Sequence, residues 1–223
     1  MRPLLAIVVP IALLVTPMRP ATAQDAIRLP APTTRGTVSL EEALRARRSV
    51  RGFTDDAMTL AQLGQLLWAA QGVTDTEGHR TAPSAGARYP IELYVATANV
   101  AGLPAGVYKY RPREHDLVRH LEGDRRSHLV EGAVRQDWIL TAAAVVAITS
   151  VDERTRARYG ARTERYVAIE AGHVGQNICL QAVALGLGTT VVGAFQDDSV
   201  TSVLQLDRSE RPLVLIPVGK PGD

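Results

Sequence analysis

The sequence predicts an α+β fold, on three observations. Residues 91–98 (IELYVATA) alternate as a strand does, and residues 141–150 (TAAAVVAITS) form the continuous small-apolar run of a buried central strand. Residues 163–185 carry a long helical pattern that stops at Gly186. Strands and helices do not alternate in the regular βαβ units of a doubly wound parallel sheet.

The elements follow in chain order. Arg2, an uncharged apolar run over 3–17 and the small-x-small pattern Ala21-Thr22-Ala23 read as a secretory signal peptide over 1–23, cut after Ala23. The run falls short of the ~20 apolar residues of a membrane span, and Pro10 interrupts it. The expectation is an exported, periplasmic protein with no stable membrane insertion after cleavage; a single-pass anchor is the alternative. Residues 24–38, rich in Pro and Thr, read as an extended arm or linker, and 39–223 as one domain. Ser39-Leu40-Glu41-Glu42 is a capping-box pattern opening a helix to about Arg47, and Thr59-Leu60-Ala61-Gln62 repeats the device. Leu60, Leu63, Leu66, Leu67 and Ala70 then recur at helical spacing up to Gly72. Residues 73–88 are expected as loop, and 106–111 and 116–121 as two strands joined by a turn around Pro112. Residues 189–194 and 212–219 read as buried strands, with a short helix near 198–205 between them. The 163–185 helix brings Ala168, Ala171, Gly172 and Gly175 to closely related faces. Small side chains there admit another backbone, either a core element or a second subunit.

Composition narrows the function classes. With 223 residues, 46% hydrophobic and 22% charged, the chain can bury a real core, and disorder is excluded. A single cysteine excludes an intrachain disulfide and a Cys-based zinc site. Of 25 basic residues only Lys109 and Lys220 are lysines. Such an arginine excess suits anion recognition, and equally reflects a GC-rich genome. The net charge of +2 belongs to Arg2 and Arg19 in the signal segment. Removing 23 residues leaves a formally neutral chain of 200, so no nucleic-acid partner is expected.

Familiar catalytic motifs are absent: no G-x-S-x-G elbow, no H-E-x-x-H, no Walker A loop. Gly186-Leu187-Gly188 follows a helix and precedes a strand, the reverse of a dinucleotide loop. His79, His115, His120, His128 and His173 lack metal-ligand spacing, so no metal is expected. Cys179 is expected as a buried, inert thiol. Three segments remain. RRSVRGF at 47–53 sets Arg47, Ser49 and Arg51 at a helix end, which suits a phosphate or is simply an exposed basic helix end. APSAGARYP at 82–90 is a small-residue loop that lets backbone approach a flat ligand. VVGAF at 191–195 puts the backbone N–H donors of Gly193 and Ala194 directly after an apolar strand.

Taken in order, RRSVRGF (47–53), APSAGARYPIELYV (82–95), GVYKYRPREHDL (106–117), EAGHVGQNICLQAVALGLGTTVVGAF (170–195) and PLVLIPVGKP (212–221) resemble one family. It is the FMN-dependent nitroreductase family, in its SagB/thiazole-oxidase-like branch, and the resemblance runs from about Ser39 to Pro221. It implies the α+β nitroreductase fold, a mixed central sheet flanked by helices, as a homodimer with FMN at the subunit interface. By the same resemblance, Arg47 and Ser49 would bind the FMN phosphate and ribityl end, with Arg48 alongside. Arg51 would reach the pyrimidine edge of the ring. Pro83, Ser84, Ala85, Gly86 and Ala87 would come from the other subunit and pack beside the isoalloxazine. Gly193 and Ala194 would offer N–H groups to flavin N5 and O4, and Lys220 or its loop would return to the phosphate. The 163–185 helix would serve the dimer core, with Gln176 and Asn177 in the family's Q-N position.

The implied activity is a ping-pong transfer of hydride or electrons from NAD(P)H through FMN to a small acceptor, nitroaromatic or quinone-like. That chemistry is the cofactor's and requires no protein nucleophile. A cation near flavin N1/O2 stabilises the reduced ring, and an N–H at N5 orients and polarises it. Two readings stand beside this one. The first is an azoline dehydrogenase acting on a peptide; members of that branch use a Lys-Tyr pair, and Lys109-Tyr110 and Arg165-Tyr166 are the positions to examine. The second is a non-catalytic accessory protein that keeps the fold. Residues 73–81 and 152–162 are expected as variable substrate-pocket loops.

Overall fold

Two capping boxes start the first two long helical segments. In the computed structural model, which describes residues 26–133 and 136–222, a short strand β1 (Ala26–Arg28) precedes helix α1 (Leu40–Ala46). Ser39 accepts from the Glu42 N–H while the Glu42 side chain accepts from the Ser39 N–H. Thr59 and Gln62 repeat that exchange where strand β2 (Met58–Thr59) runs into helix α2 (Leu60–Gln71). Each box satisfies two N–H groups that a helix start otherwise leaves orphaned. The signal peptide expected at 1–23 lies outside the described residues.

Strands β3 (Ile91–Thr97), β4 (Val100–Ala101), β5 (Gly106–Arg111) and β6 (Asp116–Glu122) follow. Helix α3 (Arg126–Gly132), strand β7 (Ala144–Val151), helix α4 (Glu153–Tyr159) and helix α5 (Thr163–Ala184) come next. Strand β8 (Gly188–Thr189), helix α6 (Asp197–Leu204) and strand β9 (Glu210–Gly219) complete the chain order. Seven strands form one sheet in the order β1-β6-β5-β3-β7-β9-β8. Its ladders are antiparallel, while β2–β4 and the Ser49–Thr189 bridge pair in parallel, so the pairing is mixed.

The sheet is buried on both faces. Ile91, Leu93 and Val95 of β3, Val146 and Ile148 of β7 and Ile216 of β9 point into one core with α2 and α5. Their neighbours Tyr94, Ala96, Val145, Ala147 and Leu215 point into a second core with α3 and α6. The period of two along each strand therefore sorts side chains between two apolar layers, not between core and water. The arm is docked where it is described: β1 pairs with β6, and Thr33 and Gln65 exchange two hydrogen bonds of 2.8 and 3.0 Å.

Three expectations need correction. The strand expected over 189–194 shrinks to β8 and one bridge at Val192. Leu215 and Val192 exchange both backbone hydrogen bonds, so the next donor on that edge of β9 belongs at position 217, and Pro217 has none. The central strand starts at Ala144, because residues 137–141 coil into a 3-10 turn. The loop expected over 152–162 is largely α4 and a following 3-10 turn. Its sequence ERTRARY buries only Thr155, so it carries no apolar period to read.

Candidate functional site

Backbone pairing gathers three distant segments at one end of the molecule. Arg47 is the C-cap of α1, and the chain leaves it extended. Ser49 then bridges Thr189, and Val50 N–H donates to Thr189 O at 2.9 Å. The fit is close: a Cβ at Gly188 would stand 2.8 Å from a Val50 methyl. Next, Phe53 bridges Pro221, Thr54 N–H donates to Lys220 O at 3.0 Å and Gly222 N–H donates to Gly52 O at 3.0 Å. Arg47, Ser49, Arg51 and Lys220 are thus brought into one neighbourhood.

Their side chains differ in what they already hold. Arg48 turns its Nη1 onto the Arg45 and Arg47 carbonyls at 3.0 and 2.8 Å, capping the end of α1. Lys220 Nζ stands 2.9 Å from Asp56 and holds that exposed carboxyl below the usual carboxylate range. Among the described residues, Arg47 and Arg51 have no carboxylate within ion-pair distance. Arg47 lies near Cys179 of α5. Burial pushes the Cys179 thiol up, against a bond to Thr189 and the Arg47 charge, so it stays protonated and inert.

The second predicted segment lies elsewhere on the same helix. Ala85 N–H donates to Glu170 Oε1 of α5 at 2.8 Å, and Asn177 Nδ2 donates to Ala69 O at 3.0 Å and to Thr81 O at 3.4 Å. Glu170 and Cys179 are nine positions apart, roughly 13 Å at 1.5 Å per residue. Within one chain the loop holding Pro83, Ser84, Ala85, Gly86 and Ala87 and the Arg47 cluster are therefore separate. Gly193 and Ala194 are exposed just past the Val192 bridge, and a Cβ at Gly193 would meet nothing within 4 Å. Ala194 O accepts from Gln136 Nε2 at 3.1 Å. Among the described residues no acceptor takes the N–H of Gly193 or Ala194, so both donors are available.

The small residues of α5 split between two faces. Ala171 and Gly175 face the core, whereas Ala168, Ile169 and Gly172 are exposed along one stripe. A cavity of about 660 Å³ lies between the arm, α1, α2 and α5, lined by Thr33, Leu40, Trp68 and Gln181 among others. None of the predicted cofactor residues lines it.

Neither Lys-Tyr candidate offers a base. Lys109 Nζ sits 2.8 Å from Glu210 and 3.3 Å from Glu92. Burial works against its charge, but the two carboxylates outweigh that and hold its pKa above the usual lysine range. Tyr110 is buried, with its hydroxyl 2.9 Å from His115 Nδ1. Arg165 is exposed and fixed in charge, and Tyr166 packs edge-on against Tyr159 with ring centroids 4.9 Å apart. Sequence reasoning missed Glu170. Its signal is present: an acid in phase with Val167, Ala171 and Val174 on the buried face of a helix.

Comparison with known proteins gives a consistent result. The model of the nitroreductase family matches residues 44–220. A Methanocaldococcus jannaschii protein, a nitroreductase by name, is 46% identical over 183 residues, spanning 82% of this chain and 91% of its own. A crystal structure from Ralstonia eutropha, also a nitroreductase by name, superposes with a TM-score of 0.80 at 31% identity, covering 92% of this chain and 94% of that one. The trifolitoxin-processing protein TfxB of Rhizobium leguminosarum is 32% identical over 133 residues, 57% of this chain and 36% of its own.

Proposed function

Because the chain belongs to the nitroreductase family, we propose that it is an FMN-dependent oxidoreductase that moves hydride or electrons from NAD(P)H to a small nitroaromatic or quinone-like acceptor. The observation that carries this reading is the convergence of residues 47–54, 188–190 and 219–222. It leaves two guanidinium groups without carboxylate partners, and the open N–H groups of Gly193 and Ala194 follow four and five residues after Thr189 in the same chain segment. Such a set fits FMN: Arg47 and Ser49 hold the phosphate, and the open space at Gly193 lets a flat ring approach the backbone. Arg51 places a positive charge at the ring's pyrimidine edge, where negative charge develops on reduction. The N–H groups of Gly193 and Ala194 orient the ring at N5 and O4. Bound there, FMN supplies the hydride chemistry itself.

A homodimer completes the site in this reading. The loop at 83–87 is bonded to α5 nine positions before Cys179, away from the Arg47 end of the helix, and the exposed Ala168–Ile169–Gly172 stripe suits close helix contact with a second copy. In this reading the segment 1–23 acts as a signal peptide and the protein works in the periplasm. The purified protein should be yellow, with absorbance near ~450 nm that bleaches on addition of NADH or NADPH. A colourless protein that takes up no added FMN contradicts the reading and leaves the accessory role.

Similarity to a trifolitoxin-processing protein favours a second reading, a SagB-like dehydrogenase of peptide azolines. The state of Lys109 argues against it, since an ammonium clasped by Glu210 and Glu92 takes up no proton. A flavin-bound protein inert to nicotinamides but active on thiazoline peptides would establish that alternative.

A further inference from the structure

We propose that Glu170 is a positioning residue that fixes the 84–89 loop in the shape required to pack against the flavin. The proposal rests on the FMN reading above. The loop is strained: Gly86, Ala87 and Tyr89 have φ of +58°, +52° and +47°. A left-handed residue with a side chain costs on the order of 1 kcal/mol and persists only where its surroundings over-determine it.

Glu170 is the buried charge in those surroundings. Its side chain comes from the middle of α5, and the residue is only 4% exposed. Oε1 accepts the Ala85 N–H at 2.8 Å, and the Ser84 hydroxyl lies close enough to favour the carboxylate form. Ser84 Oγ accepts the Tyr89 N–H at 2.8 Å, so the far end of the strained stretch is tied to the residue next to the Ala85 anchor. Seven positions further along α5, Asn177 reaches Thr81 O, so two turns of one helix hold the base and the middle of the loop. From α4, Arg158 and Tyr159 lie within 3.3 Å of where a Gly86 Cβ would stand, and Arg154 Nη1 donates to Tyr89 O at 2.9 Å.

A buried carboxylate is costly unless paired. Among the described residues no lysine or arginine stands within ion-pair distance of Glu170, and the titratable neighbour it faces is His173 on its own helix. Burial raises its pKa, against the Ala85 bond and the Ser84 hydroxyl. An apolar residue in phase with Val167 and Val174 would serve packing alone. What the carboxyl adds is an acceptor aimed at the loop.

The test compares wild type, Glu170→Gln and Glu170→Ala, each checked for a cooperative melt. Hydrogen exchange of the flavin-free proteins reads the loop directly. Glu170→Ala should lose protection at Ala85 and Tyr89 while α2 and β7 stay protected; Glu170→Gln, which keeps an acceptor, should retain it. FMN fluorescence titration should then show binding about tenfold weaker in Glu170→Ala and near wild type in Glu170→Gln. Riboflavin should suffer equally, because the loop meets the ring and not the phosphate. Unchanged protection in Glu170→Ala overturns the proposal. So does lost protection with unchanged affinity, which leaves the FMN reading standing. A wild-type protein that takes up no FMN overturns the functional reading and the proposal together.

Discussion

The Arg47 cluster and the 84–89 loop are built in opposite ways. Residues 47–54 are held by backbone bridges to 189 and to 220–222, a continuation of the sheet by other means. Residues 84–89 pair with no strand; side chains from α4 and α5 hold them in left-handed conformations. Backbone pairing tolerates most side-chain changes, so the first region can vary its side chains and keep its shape except where paired segments leave no room for a Cβ, as at Gly188. The second depends on single side chains and should fail when one of them changes.

The largest expected effect tests the first half of that contrast. Gly188→Val drives a side chain into Val50 at the tightest point of the bridge. It should destabilise the protein by about 2 kcal/mol and abolish tight FMN binding, measured by denaturant unfolding and flavin release. Next, Arg47→Ala removes a charge-assisted contact without disturbing the bridges. FMN affinity should fall about tenfold with an unchanged melting temperature. Arg51→Ala should leave affinity closer to wild type but lower the potential of the bound flavin by ~30 mV, read by dye equilibration.

The smallest effect concerns pH. Burial raises the Glu170 pKa above the ordinary 4.5, so the folded state favours the protonated carboxyl. Its contribution to stability is complete below that ordinary value and is lost as pH rises through the raised one. Glu170→Gln has no such loss. Its melting temperature relative to wild type should therefore rise between pH 4 and pH 8; a constant difference would show that Glu170 does not titrate with folding.

How much of this was readable in the sequence follows from range. Helices α1 and α2 were readable because a capping box is a four-residue signal, and α5 because its pattern is long. Helix α4 was not, because one buried threonine leaves no period. The short β8 was not, because the cause is Pro217 on another strand. At the site, RRSVRGF suited a phosphate or an exposed basic helix end, and nothing local told that Arg48 turns back onto α1 while Arg47 and Arg51 do not. Glu170 escaped notice because its partner is 85 positions away.

In the proposed function, Arg47 and its bridged neighbours bind the phosphate of FMN. The most direct measurement is fluorescence titration of wild type and Arg47→Ala with FMN and with riboflavin. The substitution should weaken FMN binding about tenfold and leave riboflavin binding unchanged. Equal FMN affinity in the two proteins would contradict that role for Arg47.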